Sequence, residues 1–297
     1  MTGRIAYVSP GAEHVPLDCY GVFVMNADGS GLRRVTGPPV RISFSFAWSP
    51  DGRTIAFSGD CGPSERYGIC LLDADGTNLR PVAHGPNTSE PEWSPDGKRL
   101  AFGRARPEDK QKFDLYTINA DGTDERRITD ERGSSYNPAW SPDGKWIAFN
   151  NMDGASKQIF KVASGGGKAV ALAPGGEING TPAWSNDGTR IAFASDRSGK
   201  PPTDYQRAQT EGPANTAVRL IGAQDIFVMA ADGSNVVRIT SDPAWSHSPV
   251  WSPDDRYLAF VSDQDGTYKI YVMAADGSGQ VLLTRHGGEA MSPAWLP

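Results

Sequence analysis

One five-residue phrase recurs along the whole chain and limits what the chain can fold into. It reads WSPDG from Trp48, Trp93 and Trp140, WSNDG from Trp184, WSPDD from Trp251, and ends as WLP at Trp295. The tryptophans are spaced by 45, 47, 44, 67 and 44 residues. A second phrase follows each at a near-constant distance: VMNADGS from Val24, LLDADGT from Leu71, TINADGT from Thr117, KVASGGG from Lys161, and VMAADGS from Val228 and again from Val272. Self-similarity at this period is the mark of a repeat architecture. There are six units of about 45 residues, one of them enlarged.

Each unit parses into four short strands. The innermost ends at the tryptophan, as in Pro138-Ala139-Trp140. Ser-Pro-Asp-Gly then makes a tight turn, in which proline presets φ, aspartate bonds its own backbone and glycine takes the positive φ. An alternating strand follows (Ile147-Ala148-Phe149), then a loop, then a third strand such as Ile270-Tyr271-Val272-Met273. The ADG hairpin leads to a short fourth strand of the Arg127-Ile128-Thr129 kind. No helix-length amphipathic pattern competes. Four-stranded units at this period build propeller blades. The expectation is an all-β, six-bladed β-propeller occupying residues 1–297 as a single domain. The last strand, ending at Trp295, and the first, matching Gly97–Phe102 at Gly3–Tyr7, belong to one blade, so one C-terminal and three N-terminal strands close the ring.

The repeated WSPDGKRLAF with its trailing IYVMAADGS resembles the repeat of the TolB propeller and its WD-like relatives. The resemblance covers essentially the whole chain. It does not extend to the N-terminal α/β domain that TolB proteins carry, so the propeller alone is expected. The resemblance implies a bacterial, periplasmic binding module. A chain whose native start is Met1 would instead be cytoplasmic, because no basic n-region and apolar h-region opens it.

Composition adds mainly exclusions. The longest apolar run is about six residues, far short of a membrane span. The net charge is −6, but ten acidic residues sit in the repeated turns; setting them aside leaves 25 acidic against 29 basic residues. That is not the concentrated basic footprint of a nucleic-acid binder. Three cysteines without a CxxC cannot make a disulfide framework, so free thiols are the default expectation, with a Cys61–Cys70 bridge as the alternative. No nucleophile elbow, zincin, P-loop or dinucleotide fingerprint occurs.

A propeller has a channel and two faces. The face carrying the WSPDG and ADG turns is nearly invariant from blade to blade. The opposite, variable face carries the longer loops, where binding groups tend to lie. The residues two places ahead of the Pro-equivalent form a ring at the variable mouth: Phe44, Ser89, Tyr136, Gly180, His247 and Met291. One place ahead stand Ser45, Glu90, Asn137, Thr181, Ser248 and Ser292. This chemical mix suits an asymmetric ligand, and the ligand set expected is Phe44, Ser89, Glu90, Tyr136, Asn137, Asn179, Thr181, Trp245, His247, Ser248 and Met291. The bland alternative is a set of polar groups holding channel water. Trp245 is either a stacking platform on the rim or blade packing. Residues 198–224 form an insertion between strands two and three, a lid or a passive loop. Arg104 and Arg106 are solvated or meet an anion.

The leading function is therefore capture of a peptide, protein segment or small polar ligand at the channel mouth, by a monomer. The competing function is a propeller enzyme, a lyase or hydrolase acting on a carbohydrate or similar substrate, with His247 as base and Glu90 or Tyr136 as acid. No cofactor and no metal site are expected, since the four histidines are dispersed and the ADG turns lack the ligand series of a calcium loop; a divalent metal in the channel stays open.

Overall fold

The computed structural model describes residues 3–10, 20–37, 40, 42–61, 67–85, 87–154, 156–172, 175, 178–201, 223–285 and 288–296, and the side chain of Phe44 lies outside that description. Among the described residues, twenty-four strands form six four-stranded antiparallel sheets. No helix occurs among the described residues. Five sheets are consecutive in sequence. The first blade is not: β24 (Met291–Leu296) lies beside β1 (Arg4–Ser9), followed by β2 (Gly21–Asn26) and β3 (Arg33–Arg34). Arg4 faces Leu296, Ile5 faces Trp295 and Ala6 faces Ala294 across the closing seam. The remaining blades, two to six in chain order, begin at β4 (Ile42–Trp48), β8 (Thr88–Trp93), β12 (Ser134–Trp140), β16 (Asn179–Trp184) and β20 (Ser246–Trp251).

The turn phrase has a common bonding scheme. In the second blade Ser49 Oγ donates to Asp51 Oδ1 (2.6 Å) and accepts from the Thr54 N–H (2.9 Å), while Asp51 Oδ1 also accepts from the Arg53 N–H (3.0 Å). The same three bonds recur at Ser94/Asp96, Ser141/Asp143, Ser185/Asp187 and Ser252/Asp254. These bonds, led by that of the serine hydroxyl, hold each aspartate below the usual carboxylate range. In the ADG hairpins the aspartate accepts from the N–H and hydroxyl two residues on, as Asp28 does from Ser30 (2.9 and 2.6 Å). The repeated acids are thus spent on turn geometry.

The core lies between blades. Phe57, Phe102, Phe149, Phe193 and Phe260, one on each second strand of blades two to six, are fully buried. Tyr7 takes the matching place in the first blade. The tryptophans divide: Trp93 and Trp251 are buried, whereas Trp48, Trp140, Trp184 and Trp295 are only half-buried and face the channel. The thiol default is corrected: Cys61 and Cys70 form a disulfide, their Cα atoms 5.3 Å apart, because β5 (Thr54–Asp60) and β6 (Tyr67–Asp73) pair and set the two residues near one end of the hairpin. Cys19 lies outside the described residues.

Arg104 and Arg106 are both engaged. Arg104 pairs with Glu125 and Arg106 with the fully buried Asp114 (2.9 Å), which leaves neither as a solvated charge or a free anion contact.

Candidate functional site

The channel is lined by the innermost strands, and these share a defect. Between Ser89 and Glu92, Tyr136 and Ala139, Gly180 and Ala183, and His247 and Val250 the register to the second strand slips by one. This is a β-bulge, with two residues opposing one. Its first residue stands in the left-handed region: Glu90 at φ 56°, Asn137 at 50°, Thr181 at 48°, Ser248 at 51° and Ser292 at 51°. None is glycine, so each holds backbone strain on the order of 1 kcal/mol. Each is followed by a proline (Pro91, Pro138, Pro182, Pro249, Pro293), which has no N–H to lose from the ladder.

Bonds between blades accompany the strain. The Glu90 N–H donates to Ser45 Oγ (3.1 Å), the Asn137 N–H to Glu90 Oε2 (2.6 Å), and the Ser248 N–H to Thr181 Oγ1 (3.2 Å). Ring residues of one blade thus hold the backbone of the next. Glu90 is a structural tie as well as a mouth residue, which the sequence pattern did not foretell.

Below this ring the channel widens into a cavity of about 580 Å³ that opens among the WSPDG turns. The ring is its inner end; prolines and all six repeat tryptophans form its wall. Glu92 stands where other blades have Ala47, Ala139, Ala183, Val250 and Ala294. Burial pushes its carboxyl up to about 8, so the acid is largely protonated at neutral pH. Because the folded-state value lies above the ordinary 4.5, the folded protein binds the extra proton between these values, and stability falls as pH rises through that window. Glu92→Gln is expected to remove this slope and to stabilise the protein at pH 8 by on the order of 1–3 kcal/mol. Urea unfolding of both proteins at pH 5 and pH 8 checks it; parallel pH profiles would show that Glu92 ionises freely.

Above the ring lies the variable mouth. Lys157, near the start of β14 (Ser156–Ala163), reaches over the inner strand of the next blade. Its Nζ lies only 2.9 Å from where a Cβ of Gly180 would stand, and Asn150 Oδ1 lies 3.8 Å from that same point. Gly180 is therefore the gap through which the ammonium enters the mouth; any side chain there would expel it. Burial lowers the Lys157 ammonium below the usual lysine range, and Glu90 partly offsets this. Glu90 is itself raised by burial, against its bond from Asn137 and the charge of Lys157. His247 is brought down to about 4, first by burial and then by Lys157, so it is neutral at pH 7. Its Nδ1 bonds Ser248 Oγ (2.9 Å), and its Nε2 is buried without a partner. Asn150 is fully buried, and neither its Oδ1 nor its Nδ2 has a partner.

The expected ligand residues separate on this map. Ser89, Tyr136, His247 and Met291 occupy the mouth ring, and Glu90, Asn137, Thr181 and Ser248 the bulge ring beneath it. Tyr136 packs on Phe113 (centroids 5.1 Å). Trp245 packs on His247 (5.1 Å) and Tyr268 (5.7 Å) of the sixth blade and donates through Nε1 to Gln224 (3.1 Å) beside the fifth, so much of its ring is used in packing at this blade junction. Asn179 is fully buried and bonded to Gln158, Gly175 and Arg197. Residues 202–222 of the insertion, His14 and His286 lie outside the described residues. A histidine at about 4 is a weak base and burial makes Tyr136 a weaker acid, whereas the raised Glu90 carboxyl keeps its proton better, as a general acid must. No group of three or more His, Cys, Asp or Glu fit to hold a metal occurs among the described residues. Lys157, Asn150 and Glu92 were missed from sequence, although glycine in a ring of larger side chains and PEW in place of PAW were visible signals.

Known proteins place this architecture. The crystal structure of TolB from Acinetobacter baumannii superposes with a TM-score of 0.79 at 24% identity, over 99% of this chain and 67% of that one. Putative TolB from Agrobacterium tumefaciens gives 0.71 at 20% identity, over 100% and 99%. By sequence, the Protein TolB homolog of Chlorobium luteolum is 31% identical over 129 residues, 37% of this chain and 30% of that protein. The Tol-Pal system protein TolB of Bordetella pertussis is 31% identical over 108 residues, 29% and 25% respectively. The matched segments thus span less than a third of these relatives' length. The TolB beta propeller domain profile matches residues 1–213 and 213–297, and with the six closed blades this makes the chain a member of the TolB beta-propeller domain family.

Proposed function

We propose that this chain is a binding module of the TolB type, taking a peptide, a protein segment or a small polar ligand at the variable mouth of its channel. The observation that carries it is a set of polar groups at the mouth: His247 Nε2 and the Asn150 amide, buried without partners, and the half-buried Lys157 ammonium. Leaving buried polar groups unpaired costs about 1–3 kcal/mol each, a cost that a ligand's bonds would recover. The strained ring beneath them fits a site shaped for recognition. Relatives named for the Tol-Pal system favour a protein or peptide over a small molecule. The Cys61–Cys70 bridge suits an oxidising compartment, in line with a periplasmic location. The module acts as a monomer.

Selection of a random peptide library displayed on phage against the immobilised protein tests the reading. Peptides enriched on the wild type should bind Tyr136→Ala/His247→Ala at least about tenfold more weakly, the loss of roughly 1.4 kcal/mol or more. Equal affinities would move the site off the mouth.

A further inference from the structure

The Lys157 ammonium is a half-buried charge with no close counter-ion among the described residues. Among the described residues no carboxylate lies within 4.0 Å of its Nζ. Glu90 acts on it only at longer range, with its Oε2 already taken by the Asn137 N–H. A cation drawn partly out of water in this way gains from an opposite charge or good acceptors. Two further groups share the niche. Asn150 Oδ1 faces the same Gly180 gap, and the unpartnered Asn150 Nδ2 is a donor without an acceptor. His247 is electrostatically coupled to Lys157; in the tautomer whose Nδ1 accepts from the Ser248 hydroxyl, its unpartnered Nε2 carries a proton to donate. Among the described residues the mouth therefore presents the Lys157 ammonium with Asn150 and His247 as neutral partners, and Glu90, the carboxyl coupled to Lys157, is turned to a backbone N–H.

Resting on the reading of the mouth as a ligand site, we infer that the group recognised there is a carboxylate, bound by Lys157 with His247 and Asn150 as further donors. The carboxylate would come from a peptide's C-terminus or from an acidic side chain. Gly180 is a specificity-determining position, because its missing side chain admits the lysine.

The test titrates the full chain with four tripeptides, following the ring ¹⁵N resonances of His247 and the side-chain resonances of Lys157 by NMR. The first pair is acetyl-Ala-Ala-Ala with a free C-terminus and its C-terminal amide. The second is acetyl-Ala-Glu-Ala amide and acetyl-Ala-Gln-Ala amide. At least one carboxylate peptide should shift both sets of resonances and bind about tenfold or more tighter than its neutral twin, the discrimination one charge-assisted hydrogen bond provides. The advantage should shrink as salt rises. The pair that discriminates identifies the source, terminus or side chain. In Lys157→Met, which keeps the apolar stem, acid and neutral twins should come within about twofold of each other. Equal binding of acid and neutral twins by the wild type, or no shift with either acid, overturns the carboxylate assignment. A library-selected peptide run in parallel separates the two readings: if it still shifts the His247 resonances, only the carboxylate assignment has failed.

Discussion

Deleting residues 4–9 is expected to abolish the folded monomer. These residues are β1, which is hydrogen-bonded on one side to β24 and on the other to β2. Ile5, Ala6 and Val8 have no exposed surface. Their removal takes apolar side chains out of two interblade clusters and leaves two unpaired strand edges facing one another across a gap. Unpaired edges recruit other chains, so the truncated protein should associate as well as lose cooperativity. Light scattering and thermal unfolding follow both effects. A soluble monomer keeping the full-length thermal midpoint would show that the ring does not depend on this closure.

Phe149→Ala should cost about 3–5 kcal/mol, the range for a large aromatic deleted from a packed core. Phe149 is fully buried, stacks on Phe160 at 5.8 Å between centroids and joins a cluster with Leu115, Ile128, Ile147 and Val162. Trp140→Ala, in the same blade and at the most repetitive position of the sequence, should cost less than about 2 kcal/mol, because part of its indole faces the open channel. Denaturant unfolding of the pair decides the order. A larger loss at Trp140 would make the tryptophans, and not the second-strand phenylalanines, the principal anchors.

That contrast shows what repetition does and does not reveal. The blade count, strand order and closing seam were legible because WSPDG and ADG report local turn chemistry, which the residues carry themselves. The tryptophans recur as regularly, yet recurrence says only that a position is equivalent in every blade, not that it is buried. The bulge was hidden because it arises from pairing: Glu90-Pro91 and Asn137-Pro138 mark it in the sequence, but the positive φ follows from register against the second strand. The mouth was half legible. Tyr136, His247 and Glu90 differ visibly from their counterparts, so the inner-strand alignment found them. Lys157 belongs to a third strand and enters the mouth only by crossing to the next blade, a contact between residues 23 positions apart that no single repeat contains. The Cys61–Cys70 bridge was undecidable for a related reason: the pairing of β5 with β6 places the two residues, and nothing in their spacing does so alone.

Amide hydrogen exchange of the protein, alone and saturated with a library-selected peptide, tests most directly whether the variable mouth is the ligand site. New protection is expected at residues 89–90, 136–137, 157–158 and 247–248, with no change at the Ser49, Ser94, Ser141, Ser185 and Ser252 turns on the opposite face. Protection confined to those turns and to the tryptophan-lined cavity would contradict the account and place the ligand at the other end of the channel.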